Sequence, residues 1–128
     1  MHVVSLRSGA IAIALVLSLA TPAAAQVPGS VPYDEKLLRL AEVLGSIHYL
    51  RNLCGEESNR WRDQMESLLA AENPDQLRRA RLIASFNRGY RTFDSTYVTC
   101  TEEALAAVNR YMAEGLTLTR EITNRYGE

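Results

Sequence analysis

The chain has little excess charge and few of the residues on which most active sites depend. Its 14 basic and 15 acidic residues give a formal net charge of −1, which argues against nucleic acid as a partner and against a strongly basic membrane-binding face. It has two histidines and lacks a Cys-x-x-Cys motif, a glycine-rich phosphate loop and a serine–histidine–aspartate combination. The sequence therefore predicts no cofactor, no metal site and no catalytic residue.

No apolar run is long enough for a retained membrane anchor. The N-terminal run, residues 10–20, has 11 residues, against the ~20 that are needed to cross a bilayer. A weakly basic start precedes it, and a helix-breaking Thr-Pro pair and three alanines follow. This pattern predicts a cleavable signal peptide over residues 1–25, cut between Ala25 and Gln26, and therefore an exported chain. No transmembrane segment is predicted in the mature chain.

Two cysteines are present, Cys54 and Cys100, and both lie in the mature chain. Export places them in an oxidising compartment, where an even number of cysteines is first interpreted as a disulfide. The sequence therefore predicts a structural Cys54–Cys100 disulfide.

Helical patterns dominate the chain after a short flexible leader at residues 26–32. The first helix is predicted to begin around Tyr33 and to end at Cys54, and the second to run from Ser58 or Asn59 to Ala71. We see no alternating run long enough for a strand. The region 33–127 is predicted to be one helical domain.

The segment around Pro74 predicts the start of the third helix. Asn73 is a suitable N-cap and Pro74 suits the first helical turn. Apolar residues then recur at spacings of three and four as far as Cys100, and Thr101 begins a fourth helix with the same spacing. This rhythm predicts an all-α, up-down four-helix bundle clipped by the disulfide.

The predicted topology and the predicted disulfide support each other. In an up-down bundle the first and third helices run in the same direction, so their C-terminal ends lie together. Cys54 is predicted to end the first helix and Cys100 the third. Left- and right-turning bundles satisfy this pairing equally.

Polar residues on the third helix form a candidate interaction face. Asn87, Arg91 and Asp94 recur at spacings of four and three, with Arg88 beside them. They either fix the register of the bundle or bind a partner, since tyrosine and arginine are common in interfaces. The nearby Gly89 would let another helix, or a partner, approach closely.

Two further positions are candidates on different grounds. Trp61, the single tryptophan, is either a core anchor near the disulfide or an exposed binding residue. His48, the single histidine of the mature chain, and Arg51 form a candidate polar site, with a packed helical histidine as the simpler interpretation.

The mature chain resembles a family of small exported bacterial proteins of unknown function. The resemblance extends over residues 35–127 and is carried by residues 38–51, Cys54, residues 61–65, residues 85–91, Tyr97 and residues 99–101. It implies a Gram-negative, periplasmic setting. It brings no known catalytic residue.

Three functions remain open at this stage. The leading hypothesis is a non-enzymatic accessory or protein-interaction domain of the cell envelope, whose partner is an envelope protein. The second is a small periplasmic hydrolase or cell-wall-modifying enzyme that uses Glu56, Glu57 or His48. The third is a carrier of a small apolar ligand, held between helices beside the aromatic residues Phe86 to Tyr97.

Overall fold

A computed structural model describes residues 30–127 as four α-helices. They are α1 (Asp34–Leu53), α2 (Arg60–Glu72), α3 (Gln76–Asp94) and α4 (Glu102–Tyr126). This part of the chain contains no strand, so the all-α, four-helix prediction is confirmed. The predicted signal peptide, and the leader up to residue 29, lie outside the described residues.

The turn between α2 and α3 uses different residues from those that the sequence predicted. Asn73 is not the N-cap of α3 but the C-cap of α2, with a left-handed backbone (φ 42°) that asparagine tolerates better than most residues. Asp75 is the N-cap, and its Oδ1 accepts a hydrogen bond from the Arg78 backbone N–H at 2.8 Å. The segment therefore ends one helix before it starts the next.

Helix α3 ends six residues before the predicted position at Cys100. The hydroxyls of Ser95 and Thr96 both donate to the backbone carbonyl of Thr92, and such local bonds compete with helix continuation. Residues 95–101 form a connection, and Thr101 then caps α4 by accepting from the Ala104 backbone N–H at 3.1 Å. The predicted start of α4 is confirmed.

Helix α1 is the central element of the described region. It packs against each of the other three helices, whereas these make few contacts with one another. All three buried apolar clusters contain α1 residues, among them Leu37, Val43 and Leu50. The core is therefore built around one helix.

Side-chain pairs show the direction of each neighbour. Asp34 contacts Arg78 near the start of α1 and α3, and Leu50 packs with Phe93 near their ends, so these two helices run parallel. The ion pair of Lys36 with Glu121 and the packing of Leu50 with Ala104 show that α4 runs antiparallel to α1. Likewise, α2 runs antiparallel, since Tyr33 contacts Glu72 and Ile47 packs with Trp61.

Two glycines bring α1 and α3 unusually close together. A Cβ atom added at Gly45 would lie 1.9 Å from the Phe86 carbonyl oxygen, and one added at Gly89 would lie 1.9 Å from the Glu42 carbonyl oxygen. Both positions therefore exclude a side chain unless the helices separate. Of the two roles considered for Gly89, close approach of a neighbouring helix is the one that the structure shows.

A buried arginine ties three helix ends together. Arg78 donates from Nε to Asp34 Oδ1 and from Nη2 to Glu72 Oε2, each at 2.7 Å. The Tyr33 hydroxyl donates to the same Glu72 carboxylate at 3.0 Å. These bonds satisfy the buried guanidinium, which would be costly to leave without partners, and join the starts of α1 and α3 to the end of α2.

The predicted disulfide between Cys54 and Cys100 is present, with the two Cα atoms 5.0 Å apart. Cys54 caps the end of α1 as expected, but Cys100 lies just before α4. The disulfide therefore joins α1 to the α3–α4 connection. Beside it, the Tyr49 hydroxyl donates to the Tyr97 carbonyl oxygen.

Between residues 30 and 127 no helix has the length and apolar character that a membrane crossing requires.

Candidate functional site

A cleft of about 400 Å³ opens between α2 and α3, and His48 of α1 also contributes to its lining. We call it the α2–α3 cleft. Helices α2 and α3 make few contacts with each other, so the space between them is left open. Its lining residues come from all three helices: His48, Arg62, Met65, Glu66, Leu69, Arg79, Ile83, Phe86, Asn87 and Tyr90.

The cleft has an apolar base and polar walls. Met65, Leu69 and Phe86 are buried and belong to one core cluster. The charged residues of the lining are exposed. An apolar base with a few polar groups around it is the usual composition of a binding site.

The α3 wall follows from helical spacing. Arg79, Ile83, Phe86 and Tyr90 recur at spacings of four, three and four, which places them along one side of the helix. Phe86 lies nearest the core, while Ile83 and Tyr90 are 37% and 36% exposed. Two large apolar side chains therefore remain available on the cleft wall.

Tyr90 is held at one end of the cleft by two other rings. Its ring centroid lies 5.8 Å from that of His48, and 5.2 Å from that of Tyr49 in an edge-on arrangement. Edge-on aromatic pairs of this kind are favourable. Tyr90 is therefore a preorganised aromatic surface.

His48 lies at the same end of the cleft. Its Nδ1 lies 3.3 Å from the side-chain amide nitrogen of Asn52, which also donates to the backbone carbonyl oxygens of His48 and Ser58, at 2.7 and 3.0 Å. Burial lowers the pKa of His48, the positive charge of Arg62 lowers it further, and Asp63 opposes the shift. The surroundings of His48 therefore favour its neutral form.

We expect an NMR titration of His48 to give a midpoint below 6.5, because burial and Arg62 disfavour the imidazolium. The Arg62→Gln variant should raise this midpoint. A folded pKa below the unfolded value means that the contribution of His48 to stability is present above about pH 6.5 and is lost as the pH falls toward the folded pKa. A wild-type midpoint at or above 6.5 would contradict the assignment.

The four residues of the predicted interaction face on α3 do not share one surface in the structure. Asn87 lines the α2–α3 cleft. Arg88 points elsewhere and contacts the Glu42 carboxylate of α1 at 3.3 Å. Arg91 and Asp94 are exposed, and the described residues show no ion pair between them. Asn87 alone of these four therefore belongs to the cleft.

Trp61 lies on the other side of α2. It is 9% exposed and lines a shallower apolar groove of about 240 Å³ between α2 and α4. Its Nε1–H has no hydrogen-bond partner among the described residues. Trp61 packs with Val43 and Ile47, in a different apolar cluster from the one that Cys54 contacts.

The remaining candidates lie near the end of α1. Arg51 Nε is 3.2 Å from Glu56 Oε2, and Glu57 is exposed. His48 hydrogen bonds to Asn52, and no bond from it to Arg51 or to either glutamate is seen in residues 30–127. Nor does that region place three His, Cys, Asp or Glu side chains around a possible metal position.

Six lining residues were not part of any site predicted from the sequence: Arg62, Met65, Glu66, Leu69, Arg79 and Ile83. The two arginines and the glutamate resemble ordinary surface charges, and the other three belong to the apolar spacing of their helices. These residues come to line one cleft only in the folded protein, where α2 and α3 lie on either side of it.

Comparison with known proteins gives a family but no activity. A family model described as a protein of unknown function (DUF2385) matches residues 32–126. No curated protein matches the chain, and no solved structure matches it.

Proposed function

The chain belongs to the DUF2385 family of proteins of unknown function, and we propose that it is a non-enzymatic binding domain of the bacterial cell envelope. Its partner is an envelope protein, and the contact is made through the α2–α3 cleft. The observation that carries the proposal is the cleft itself, which joins a buried apolar base to exposed side chains on two separate helices.

The composition of the cleft supports binding. Tyr90 and the two arginines Arg62 and Arg79 are of the types that supply most interface energy when they contact a partner. Ile83 and the base add apolar area, which is the main favourable term in association. Asn87 adds an amide that both donates and accepts hydrogen bonds.

The proposed location rests on the N-terminal pattern and on the disulfide. Structural disulfides persist in oxidising compartments such as the periplasm, and Cys54 and Cys100 are joined. We expect protein recovered from the periplasmic fraction of a Gram-negative host to begin at Gln26. N-terminal sequencing and intact mass measure this directly. An uncleaved chain in the cytoplasmic fraction would contradict the proposed export.

Photocrosslinking in living cells tests the binding proposal. A photoreactive amino acid placed at Asn87, on the cleft wall, should capture one specific envelope protein. The matched control is Ala106, which is exposed on α4 and lines neither cleft. We expect the adduct from position 87 and not from position 106.

Two outcomes would contradict the proposal. Equal adducts from both positions would show a nonspecific contact, and no adduct from position 87 would remove the evidence for a partner in the cleft.

The apolar base beside Phe86 also favours a second candidate, a carrier of a small apolar ligand. Native mass spectrometry of the exported protein would show such a ligand as a bound small mass.

A further inference from the structure

Charged side chains follow one another along the α2–α3 cleft in a definite order. Arg62 lies at the end with His48, whose pKa it lowers, and His48 contacts Tyr90. Arg79 lies at the other end, next to Arg78, which contacts the last residue of α2. The two guanidinium groups therefore mark opposite ends of the cleft.

Glu66 lies between these ends. It follows Arg62 by one helical turn on α2, and the lining of the cleft continues past it to Leu69. Because α2 and α3 run in opposite directions, Glu66 faces the middle of the α3 wall. The order of charge along the cleft is positive, negative, positive.

The cleft has its longer wall on α3. Its α3 wall extends from Arg79 to Tyr90, a rise of about 16 Å at ~1.5 Å per residue. An extended chain advances about 3.3 Å per residue, so the wall matches about five residues. This length suits an extended polypeptide segment better than a compact small molecule.

The two arginines are available for a partner. The described residues show no carboxylate within 4.0 Å of Arg62 or Arg79, whereas Arg39, Arg78 and Arg88 are each paired with glutamate or aspartate. A carboxylate brought to either arginine would therefore gain an ion pair without breaking one.

From these observations we infer that the cleft holds an extended segment of the partner protein with acidic residues near both ends and apolar residues between them. The two acidic residues are three to five positions apart in the sequence of the partner, and their carboxylates contact Arg62 and Arg79. The central apolar side chains rest on Phe86 and Ile83, and an acidic residue at the centre is disfavoured by Glu66. This inference rests on the proposed function and specifies the chemistry of the partner.

Three synthetic pentapeptides with capped ends test the inference. All have leucine, valine and leucine at the centre, and the first and fifth residues are both glutamate, both lysine or both glutamine. Binding to the purified protein is followed by NMR shifts of His48 and of the Asn87 side-chain amide. We expect the glutamate peptide to bind at least about tenfold more tightly than the lysine peptide, since two partly exposed ion pairs are gained in one case and two repulsions in the other.

Reversing the charges gives the matched variant. With Arg62→Glu and Arg79→Glu together, the preference should change to the lysine peptide, while Arg110→Glu with Arg120→Glu, on the exposed surface of α4, should leave it unchanged. Circular dichroism confirms that each variant is folded.

Equal binding of the three peptides, no binding of any, or an unchanged preference in the reversed variant would overturn the inference. Laurate binding in the cleft more tightly than the glutamate peptide would also overturn it and favour a carrier. These results leave the photocrosslink at Asn87 as an independent test, so a partner captured there without the peptide preference would contradict the inference and keep the proposed function.

Discussion

The Gly89→Ala variant is expected to unfold with a free energy about 3 kcal/mol lower than that of the wild-type protein. The added Cβ would lie 1.9 Å from the Glu42 carbonyl oxygen and 2.8 Å from Ser46 Oγ. A backbone carbonyl cannot rotate away, so α1 and α3 must separate and their packing is lost. The ~1 kcal/mol that alanine gains over glycine in a helix offsets only part of this cost. Urea unfolding measures the difference.

Gly115→Ala is the matched control. It is also a glycine within a helix, but an added Cβ would meet only side chains, those of Val43 at 3.3 Å and Leu40 at 4.0 Å. Its stability should stay within about 1 kcal/mol of wild type, because the gain in helix propensity balances a small adjustment of the valine. Gly45→Ala, opposite Gly89, should resemble Gly89→Ala. If all three variants were equally stable, the close α1–α3 contact would be contradicted.

Loss of the disulfide is the second large effect. The bond between Cys54 and Cys100 joins residues 46 positions apart, and the chain-entropy relation gives about 4 kcal/mol for a loop of this length. A domain of about 100 residues has ~5–15 kcal/mol of total stability. We therefore expect the Cys54→Ser/Cys100→Ser variant to unfold at much lower urea concentration than the wild-type protein.

Reductant provides the internal control for this prediction. Cys100 is exposed, so dithiothreitol should reach the bond and lower the wild-type stability toward that of the double-serine variant. The variant itself should not respond to dithiothreitol. A wild-type protein whose urea midpoint is the same with and without complete reduction would show that the disulfide does not stabilise the fold.

Local chemistry explains why the elements could be predicted. The apolar spacing of α1 and α2, the Thr101 cap and the even number of cysteines each depend on nearby residues or on the compartment. The errors arose where two local interpretations competed. Asn73 suits both an N-cap and a left-handed C-cap, and the apolar rhythm of α3 continued through Phe93 and Tyr97 although Ser95 and Thr96 end the helix.

The candidate site could be predicted only in part, because it depends on packing between helices. Asn87 was identified from the spacing of polar residues along the third helix, and Gly89 from the free-energy cost of a glycine within that helix. The close contact of α3 with α1 depends on two glycines 44 positions apart in sequence, Gly45 and Gly89. No periodicity within one helix shows such a pairing. The sequence therefore gives no sign that Arg62 and Arg79 line the same cleft.

Co-purification with a blocked cleft tests the central claim most directly. Wild-type protein, the Asn87→Trp variant and the Ala106→Trp variant, each confirmed to be folded and exported, are isolated from the envelope with their partners. Asn87→Trp places an indole in the α2–α3 cleft, while Ala106→Trp adds the same group on the exposed face of α4. We predict that one envelope protein accompanies the wild type and Ala106→Trp and is lost with Asn87→Trp. Recovery of that same protein in equal amount with all three would contradict the claim that the cleft is the binding surface.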